Sequence, residues 1–580
     1  MAYLGVETSL TGRRWVGPSA EDDRQAERLA QDTGLPDAVC RVLARRDVAP
    51  EGAEAYLNPA LRDLLPDPLT LKDMGAAAER FLAAVSARQR IAVFADYDVD
   101  GGASAALILT WLDALEQGAT LYIPDRIDEG YGPNPQAMDA LARDHDLIVC
   151  VDCGTLSHDA IAAAEGADVI VLDHHLGGET LPPALAVVNP NRADEPGDLG
   201  HLCAAGVVFL MLVEANRRQR AAGGATPDLL ALLDLVALAT VADVAPLTGV
   251  NRAFVQQGLK VMARRDRAGL VALAEVARLD QPPSTYHLGF VFGPRVNAGG
   301  RIGAADLGAR LLSTADPHEA AALAERLDAL NTERREIEAA VRAAALEQAE
   351  ARGLEAPLVW AAGEGWHPGV VGIVAARLKE ATNRPAVVIG LYGEEGKGSG
   401  RSVGGVDLGA AIQRLASEGH LLKGGGHRMA AGLTVARNAL EPAMARLSDL
   451  LAKQGAGNAG PSDLRLDGVL MPGAATPEMI EQIETAGPFG QGAPAPRFAF
   501  PDQRILDARR VGETHLKVSF GDGTGPRLDA IAFSAFDGPL GSALQAHGGM
   551  RFHMAGRLEI NHWQGRARAQ LRLSDASPAA

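Results

Sequence analysis

The chain contains little cysteine for its length, with Cys40, Cys150, Cys153 and Cys203 as the four instances in 580 residues. So few, widely separated cysteines exclude the disulfide framework of small secreted domains. Cys150 and Cys153 form a CxxC pair, but no second Cys/His pair stands at zinc spacing. We therefore interpret them as packing residues.

The chain also lacks a signal sequence and an uninterrupted apolar run. The N-terminal stretch MAYLGVETSL shows no basic segment followed by an apolar one. The most apolar stretch, Leu229 to Leu247, is interrupted by Asp234 and Asp243 and is too broken to span a bilayer. We expect a cytoplasmic protein without a membrane partner.

The chain has fewer basic than acidic residues, with 55 Lys/Arg against 73 Asp/Glu, which gives a net charge of −18. This balance argues against a protein that coats nucleic acid by bulk electrostatics. From Pro461 onward, however, 12 Lys/Arg nearly balance 13 Asp/Glu. A nucleic-acid partner therefore stays among the alternatives. The content of 47% hydrophobic and 22% charged residues is typical of ordinary globular domains.

Short β-branched runs alternate with Ala-rich helical patterns after about Leu71, which predicts an α/β domain with a mainly parallel sheet. The predicted strands are Ile91–Ala95, Thr120–Ile123, Leu147–Val151, Val169–Leu172 and Ala186–Val188.

The rest of the chain divides at recognisable signals. Asp316-Pro317 supplies an N-cap and a first-turn proline for a long helix, which Gly353 ends and which we interpret as a connector. A second α/β unit follows, and the Gly-rich stretch Lys453 to Asp463 predicts a linker to a small β-barrel. The predicted division is 1–71 helical segment, 72–315 catalytic α/β domain, 316–353 connector, 354–455 second α/β domain and 464–575 barrel.

Three aspartates, Asp96, Asp98 and Asp100, follow the first strand at alternate positions in IAVFADYDVDGGASA. Asp and Gly also suit a plain surface turn, so this pattern alone has two interpretations. Three carboxylates so close together raise one another's pKa unless a cation neutralises them. The sharper interpretation is a site for a hard divalent metal ion.

Further candidate ligands stand at the ends of other elements. Asp152 follows the strand LIVCV, His174 and His175 follow VIVLD, and Asp243 follows an apolar helix. Singly, Asp152 could cap a turn and Asp243 a helix. Because the carboxyl ends of parallel strands share one edge of a sheet, we expect these side chains to converge. A site rich in oxygen ligands favours Mg²⁺ or Mn²⁺ over zinc or copper.

These motifs resemble those of a known family. ADYDVDG, VDCGT, LDHHL and TVADVAPL are similar, in order, to the motifs of the DHH phosphoesterases. The later GPRVNAGGRIG, GWHPGVVGIVAARL, GSGRS and GGGHRMAAG resemble the branch with a DHHA1 domain, and within it the bacterial exonucleases specific for single-stranded DNA.

The resemblance implies a site with two divalent cations, Mn²⁺ or Mg²⁺, that activate a bridging water for attack on the scissile phosphorus. The implied ligands are Asp96 and Asp98 for one ion, Asp100, His174 and Asp243 for the other, and Asp152 as the bridge. Both Asp152 and His175 are implied to be catalytic, with His175 facing the substrate phosphate. The implied activity is 5′-to-3′ release of 5′-mononucleotides from single-stranded DNA, in repair and recombination.

Arg295, Asn297 and Arg301 place two fork-shaped cations around what we predict to be a glycine turn. This arrangement suits phosphate binding, and the alternative is a salt-bridged loop.

In the second α/β domain, Ser399 and Arg401 in one glycine-rich stretch and His427 in another predict an anion cradle built from exposed backbone N–H groups. The resemblance makes this domain the substrate-holding half, with His367 as a further contact.

Arginines and aromatics interleave near the C-terminus, as in barrels that bind single strands. The candidate contacts are Arg551, Arg557, Trp563, Arg566 and Arg568. A solvated strand face is the alternative, and the resemblance implies an OB-fold here.

Two other functions stay open. One is a DHH phosphodiesterase for short oligonucleotides or cyclic dinucleotides, and the other is a non-catalytic DNA-binding replication scaffold. A scaffold would be expected to lose ligands, whereas all six are present here. Besides single-stranded DNA, we expect a helicase and a single-strand binding protein as partners of a monomeric chain.

Overall fold

The computed structural model describes residues 2–126, 129–457, 462–523, 525–563 and 566–579. The chain forms two compact units. The first combines Met1–Leu64, Leu247–Ala253 and Gly460–Ala580, and the second combines Leu65–Pro246 with Phe254–Ala459. Among the described residues, no helix is both long and apolar enough to cross a membrane.

In the N-terminal part of the first unit, the described residues form one short strand and four α-helices. They are β1 (Arg14–Val16), α1 (Ala20–Thr33), α2 (Asp37–Ala44), α3 (Ala53–Leu57) and α4 (Leu61–Leu64). The sequence predicts only helices here and misses β1. This strand pairs in parallel with residues Asp463–Arg465, far along the chain, and three residues are too few to show an alternating pattern.

A five-stranded parallel sheet organises the N-terminal half of the second unit, as predicted. Its strands run in the order β3-β2-β4-β5-β6. Every residue of β2, β4 and β6 is buried, which is typical of a sheet covered on both faces. The elements are α5 (Met74–Ser86), β2 (Ile91–Ala95), α6 (Val99–Asp113), β3 (Ala119–Tyr122), α7 (Pro135–Asp144), β4 (Leu147–Val151), α8 (His158–Ala162), β5 (Asp168–Leu172) and β6 (Ala186–Val188).

A series of helices follows the sheet. They are α9 (Ala204–Ala221), α10 (Leu233–Ala242), α11 (Gly249–Met262), α12 (Ala268–Val276), α13 (Thr285–His287), a π-helical turn (Leu288–Phe292), α14 (Gly293–Ile302) and α15 (Leu307–Ser313).

The glycine turn predicted in GPRVNAGGR is wrong, because this motif forms helix α14. Pro294 lies in the first turn, where a proline costs no hydrogen bond. Its glycines serve close packing: a Cβ on Gly300 would lie 2.7 Å from the Tyr97 side chain.

The long connector helix is confirmed as α16 (Pro317–Arg352). The Asp316 carboxylate accepts a hydrogen bond from the backbone N–H of His318 at 2.8 Å, and Gly353 follows the helix with φ 96°.

The second α/β domain has a mixed sheet in the order β10-β11-β9-β8-β7, in which β7 and β8 are parallel and the other pairs antiparallel. Its elements are β7 (Val359–Glu364), α17 (Pro368–Thr382), β8 (Ala386–Tyr392), β9 (Glu395–Arg401), α18 (Leu408–Ser417), β10 (Lys423–His427), β11 (Ala430–Ala436) and α19 (Leu440–Lys453).

A closed five-stranded barrel forms the C-terminal part of the first unit, which confirms the predicted OB-like fold. It closes because β14 pairs with both β15 and β17. The elements are β12 (Asp463–Arg465), β13 (Gly468–Val469), α20 (Pro477–Glu484), β14 (Phe498–Val511), β15 (His515–Gly521), β16 (Arg527–Ala532), α21 (Pro539–Gln545), β17 (Arg551–Trp563) and β18 (Arg566–Pro578).

The N-terminal helices belong to the core of this barrel. Leu29 and Leu43 lie in one hydrophobic cluster with Phe500 and Phe520. The indole of Trp15, which is fully buried, donates a hydrogen bond to Oδ2 of Asp575 at 2.9 Å. The two ends of the chain therefore fold as one body.

Replacing Trp15 by Phe should destabilise this unit, because the buried Asp575 carboxylate loses a hydrogen-bond donor. We expect a loss of about 1–3 kcal/mol in the free energy of unfolding, measured by urea denaturation of the full chain. Trp360→Phe, in the other unit, is the control. An unchanged unfolding midpoint for Trp15→Phe would show that this hydrogen bond does not secure the N-terminal segment.

Candidate metal centre

The loop after β2 is held in shape by its own aspartates. Asp98 is the N-cap of α6, and its Oδ1 accepts from the backbone N–H groups of Asp100 at 2.9 Å and Gly101 at 3.2 Å. A Cβ on Gly101 would lie 2.3 Å from the carbonyl oxygen of Asp96, so only glycine fits there. Asp96 and Asp98 thus lie in the loop and Asp100 in the first turn of α6, and the burial of Asp96 and Asp100 does not fit a plain surface turn.

Asp100 is buried against the beginning of α9. Its two carboxylate oxygens accept from the backbone N–H groups of Ala204 at 2.7 Å and Ala205 at 2.8 Å. Hydrogen bonds from a helix N-terminus stabilise a carboxylate. Burial nonetheless raises the pKa of Asp100.

His174 joins the other carboxylates. Its Nε2 lies 3.2 Å from Oδ1 of Asp152 and 3.7 Å from Oδ2 of Asp100, while its Nδ1 lies 3.9 Å from Oδ2 of Asp243. Asp152 has φ 61°, a left-handed conformation that is uncommon for a residue with a side chain. Such conformations concentrate at functional sites.

The ligand atoms fall into three groups, in each of which they lie within 4.8 Å of one another. The groups are Asp96, Asp98 and Asp152; Asp100, His174 and Asp243; and Asp152, His174 and His175. The structure therefore brings together all six predicted ligands, and Asp152 belongs to two of the groups.

The donor set fits a hard divalent cation. Oδ1 of Asp96 and Oδ1 of Asp152 are buried and accept no hydrogen bond from any described residue. Burial, followed by the neighbouring carboxylates, raises the pKa of both groups well above the ordinary value and that of Asp243 to about 8. The negative charge of these buried carboxylates needs to be balanced, and a Mg²⁺ or Mn²⁺ ion would supply the positive charge that balances it.

Asp173 is a functional residue that the sequence reasoning missed. It accepts from the backbone N–H groups of Thr155 and His175 and, at 2.8 Å, from Nδ1 of His175. Burial is the largest single influence and acts to raise the pKa of Asp173 and to lower that of His175. The hydrogen bond and charge attraction between the two groups, with the hydrogen bonds from Thr155 to Asp173 and the charges of Asp96 and Asp243 near His175, together outweigh burial, so the pKa of Asp173 is lowered and that of His175 rises to about 9. The sequence did contain a signal for this pair, because Asp173 stands two residues before His175 at the end of a strand.

The predicted substrate contacts on α14 have mixed outcomes. Arg295 donates from Nε to Oδ1 of Asp328 at 2.8 Å, so the salt-bridged alternative describes it better. Asn297 accepts from the backbone N–H of Val99 at 3.0 Å and thereby supports the aspartate loop. Arg301 donates to the carbonyl of Gly369, and burial, with the charge of Arg126 next, lowers its pKa to about 10.

The anion cradle predicted from backbone N–H groups at Ser399 and Arg401 is wrong, because β9 is paired on both sides, by β8 and β11. The Arg401 side chain donates to Oγ of Ser399 at 2.9 Å. His367 is the N-cap of α17 and accepts from the N–H of Gly369 at 3.1 Å. His427 is exposed at the end of the edge strand β10.

Arg126, just after β3, was also missed. Its guanidinium lies 5.0 Å from the centroid of the Tyr97 ring. After burial, its charge is the largest influence that lowers the pKa of Arg301, His367 and Arg401. Within the described ranges, Arg126 forms no ion pair with an acidic side chain. The sequence signal for Arg126 was its place in IPDR, where a basic residue follows shortly after a predicted strand.

Of the nucleic-acid contacts predicted on the barrel, some side chains are paired or buried within the protein and others are exposed. Arg551 forms an ion pair with Asp502 at 2.6 Å, and burial lowers the pKa of Arg557. Arg566 and Arg568 are exposed on β18, whereas the side chain of Trp563 lies outside the described part of the structure.

An aromatic residue on the barrel, Phe533, was missed by the sequence reasoning, which had counted Arg572 among the basic residues of this region. Arg572 lies 4.9 Å from the ring centroid of Phe533, which is 49% exposed.

Comparisons with known proteins agree with this architecture. The model of the DHH family, N-terminal domain, matches residues 90–240; that of the DHHA1 domain matches 355–453; and that of the RecJ OB domain matches 466–575. The fold and the site define a metal-dependent phosphoesterase of the DHH class with a DHHA1 domain.

The chain belongs to the RecJ family of exonucleases specific for single-stranded DNA. It is 38% identical to the Dickeya dadantii (strain 3937) member, over 95% of this chain and 98% of that one. The chain is 37% identical to the Escherichia coli (strain K12) member, over 96% of this chain and 98% of that one. The crystal structure of RecJ in complex with Mn²⁺ from Thermus thermophilus is similar with a TM-score of 0.80 and 29% identity, over 97% of this chain and 79% of that one.

Metal binding should release protons. At pH 7 a carboxyl with a pKa of about 8 is mostly protonated, and a cation must displace that proton, so Mn²⁺ affinity should rise as the pH increases from about 6 to about 9. Calorimetry of Mn²⁺ binding in buffers of different ionisation enthalpy measures the release, and Asp243→Asn should reduce it. An affinity and heat independent of pH and buffer would contradict this protonation state.

Proposed function

We propose that the protein is a metal-dependent exonuclease that hydrolyses single-stranded DNA from the 5′ end to 5′-mononucleotides. The observation that carries the proposal is the convergence of all six ligands in a chain of the RecJ family. The 5′ polarity and the mononucleotide product are supported by the motif resemblance.

Two groups of side chains would hold the cations. Asp96, Asp98 and Asp152 would bind one, and Asp100, His174 and Asp243 the other, with Asp152 shared because its Oδ1 also lies next to His174. When bound, Mn²⁺ or Mg²⁺ supplies charge to polarise the phosphoryl oxygens and lowers the pKa of water at the site.

His175 contributes a fixed positive charge. With a pKa of about 9 it is protonated at neutral pH, and Asp173 holds its Nδ1 at 2.8 Å. Its Nε2–H can therefore donate to a phosphate oxygen, where negative charge grows in the transition state.

A cluster of arginines would bind the substrate phosphates. Burial first, and then the charge of Arg126, lowers the pKa of both Arg301 and Arg401, and none of the three arginines forms an ion pair with an acid among the described residues. Such uncompensated guanidinium groups favour a polyanion despite the net charge of −18. Of the other predicted contacts, His367, Ser399 and His427 stay proposals, whereas Arg295 and Asn297 have structural partners.

Preference for single strands is supported by exposed rings on which unpaired bases can stack. Tyr286 and Phe290 stack with centroids 5.3 Å apart and are 49% and 71% exposed. On the barrel, Arg572 lies over the exposed ring of Phe533, and Arg566 and Arg568 are exposed on the same strand as Arg572, so a ring for stacking occurs together with cations.

In the cell we place this activity in DNA repair and recombination, in the cytoplasm, on strands that a helicase exposes and a single-strand binding protein covers. Four buried, unpaired cysteines agree with a reducing compartment. The chain would act as a monomer, with the domains bounded as the sequence predicts.

Strands labelled at either end test the activity directly. Immediate release of the 5′ label with Mn²⁺ or Mg²⁺, none with chelator, and a loss of at least about 10³-fold for Asp152→Ala are expected, because the shared ligand is removed. Asp139→Ala is the matched control, because it removes a half-exposed carboxylate of α7 that belongs to none of the metal groups.

Two results would count against the proposal. Strand binding without release from either end would favour a scaffold. A faster rate on dinucleotides than on long strands would favour a phosphodiesterase for short substrates.

Arg126→Ala should weaken binding of the reacting strand. We expect KM to rise about tenfold, since a charge-assisted hydrogen bond to phosphate is worth about 1.5–3 kcal/mol. Steady-state rates on a long strand measure this, and Arg143→Ala, which removes an exposed arginine of α7, is the control. A KM unchanged by Arg126→Ala would remove Arg126 from the phosphate path.

A further inference from the structure

Tyr131 lies against the catalytic imidazole but belongs to none of the metal groups. Its hydroxyl oxygen is 3.1 Å from Nε2 and 3.5 Å from Nδ1 of His175. The same hydroxyl donates to the backbone carbonyl oxygen of Asp152 at 3.3 Å. One tyrosine thus contacts both the imidazole and the residue shared by the two metal groups.

The two distances show from which side the hydroxyl approaches the ring. A partner in line with Nε2–H would lie about 2 Å farther from Nδ1 than from Nε2. Because the oxygen is nearly equidistant from both nitrogens, it lies over the face of the imidazole. The two ring planes meet at 73° with centroids 5.8 Å apart, which agrees with a hydroxyl that points at the ring face.

The imidazole is therefore fixed from two directions. Asp173 holds Nδ1 in the plane of the ring, and Tyr131 covers the face. Neither contact occupies the in-plane direction of Nε2. An oxygen that donates its proton to Asp152 also turns its lone pairs towards the imidazole, where they favour the positive charge.

We propose that Tyr131 is a positioning residue, whose hydroxyl holds the His175 ring so that Nε2 faces the scissile phosphate. This inference rests on the proposed nuclease function. Tyr131 as a whole residue is 55% exposed, so a direct contact with DNA is the competing role. The two roles differ in which step of the reaction depends on the hydroxyl.

Tyr131→Phe separates them, because it removes the hydroxyl and keeps the ring. If the hydroxyl positions His175, kcat should fall roughly tenfold while KM for a long strand changes less than about twofold. Strand affinity measured by fluorescence anisotropy in chelator should be unchanged. A base-stacking role predicts the opposite: Tyr131→Phe close to wild type, and Tyr131→Leu with weakened strand binding.

A double-mutant cycle with His175→Ala gives the decisive result. Since Tyr131 acts through the imidazole, Tyr131→Phe should cost less than about twofold in a chain that already carries His175→Ala. Rates are measured with enzyme in excess so that slow variants can be compared, and thermal unfolding midpoints show that each variant is folded.

Three outcomes would overturn the inference: an unchanged kcat for Tyr131→Phe, a loss confined to KM and strand affinity, or the same fold-loss with and without His175. Each leaves the nuclease function standing. A wild-type chain that releases no nucleotide would overturn both.

Discussion

The repulsion among buried carboxylates at the carboxyl edge of the parallel sheet is the constraint on which this structure depends. Asp96, Asp100 and Asp152 are almost completely buried, and burial raises the pKa of each above its ordinary value. Burying several such groups together costs stability unless positive charge is added. A site of this kind persists in a fold because its function requires it.

The surrounding residues explain how the fold tolerates that arrangement. Hydrogen bonds from the beginning of α9 hold Asp100, the side chain of Asn297 holds the loop at Val99, and glycine at 101 allows the chain to pass close to Asp96. Many residues of the motifs thus hold the candidate metal ligands in position and are not ligands themselves. Asn297, which the sequence suggested as a substrate contact, performs such a supporting role.

The sequence predicted the parallel sheet, and the convergence of the candidate ligands at its edge, for a physical reason. Buried strands are continuous apolar runs, so β2, β4 and β6 have the predicted bounds, and polar residues directly after them must lie at one edge. The structures of the glycine-rich motifs were harder to predict from the sequence. Glycine serves tight turns and close packing equally, so helix α14 and strand β9 were mistaken for exposed turns. Contacts such as Asp173 to His175 and Arg126 to Tyr97 depend on side-chain directions that no periodicity encodes.

The pairing of β1 with β12 also has a consequence for synthesis. Trp15, Leu29 and Leu43 complete their cores with residues of the segment Gly460–Ala580, so these positions are synthesised more than 400 residues before the residues that cover them. The second unit, by contrast, is made up of residues that precede Gly460. Proteins translated from messages that end early would therefore carry apolar surface at their N-termini, where chaperones and proteases act. A chain that lacks Gly460–Ala580 would therefore be recognised by the apolar surface left uncovered around Trp15, Leu29 and Leu43.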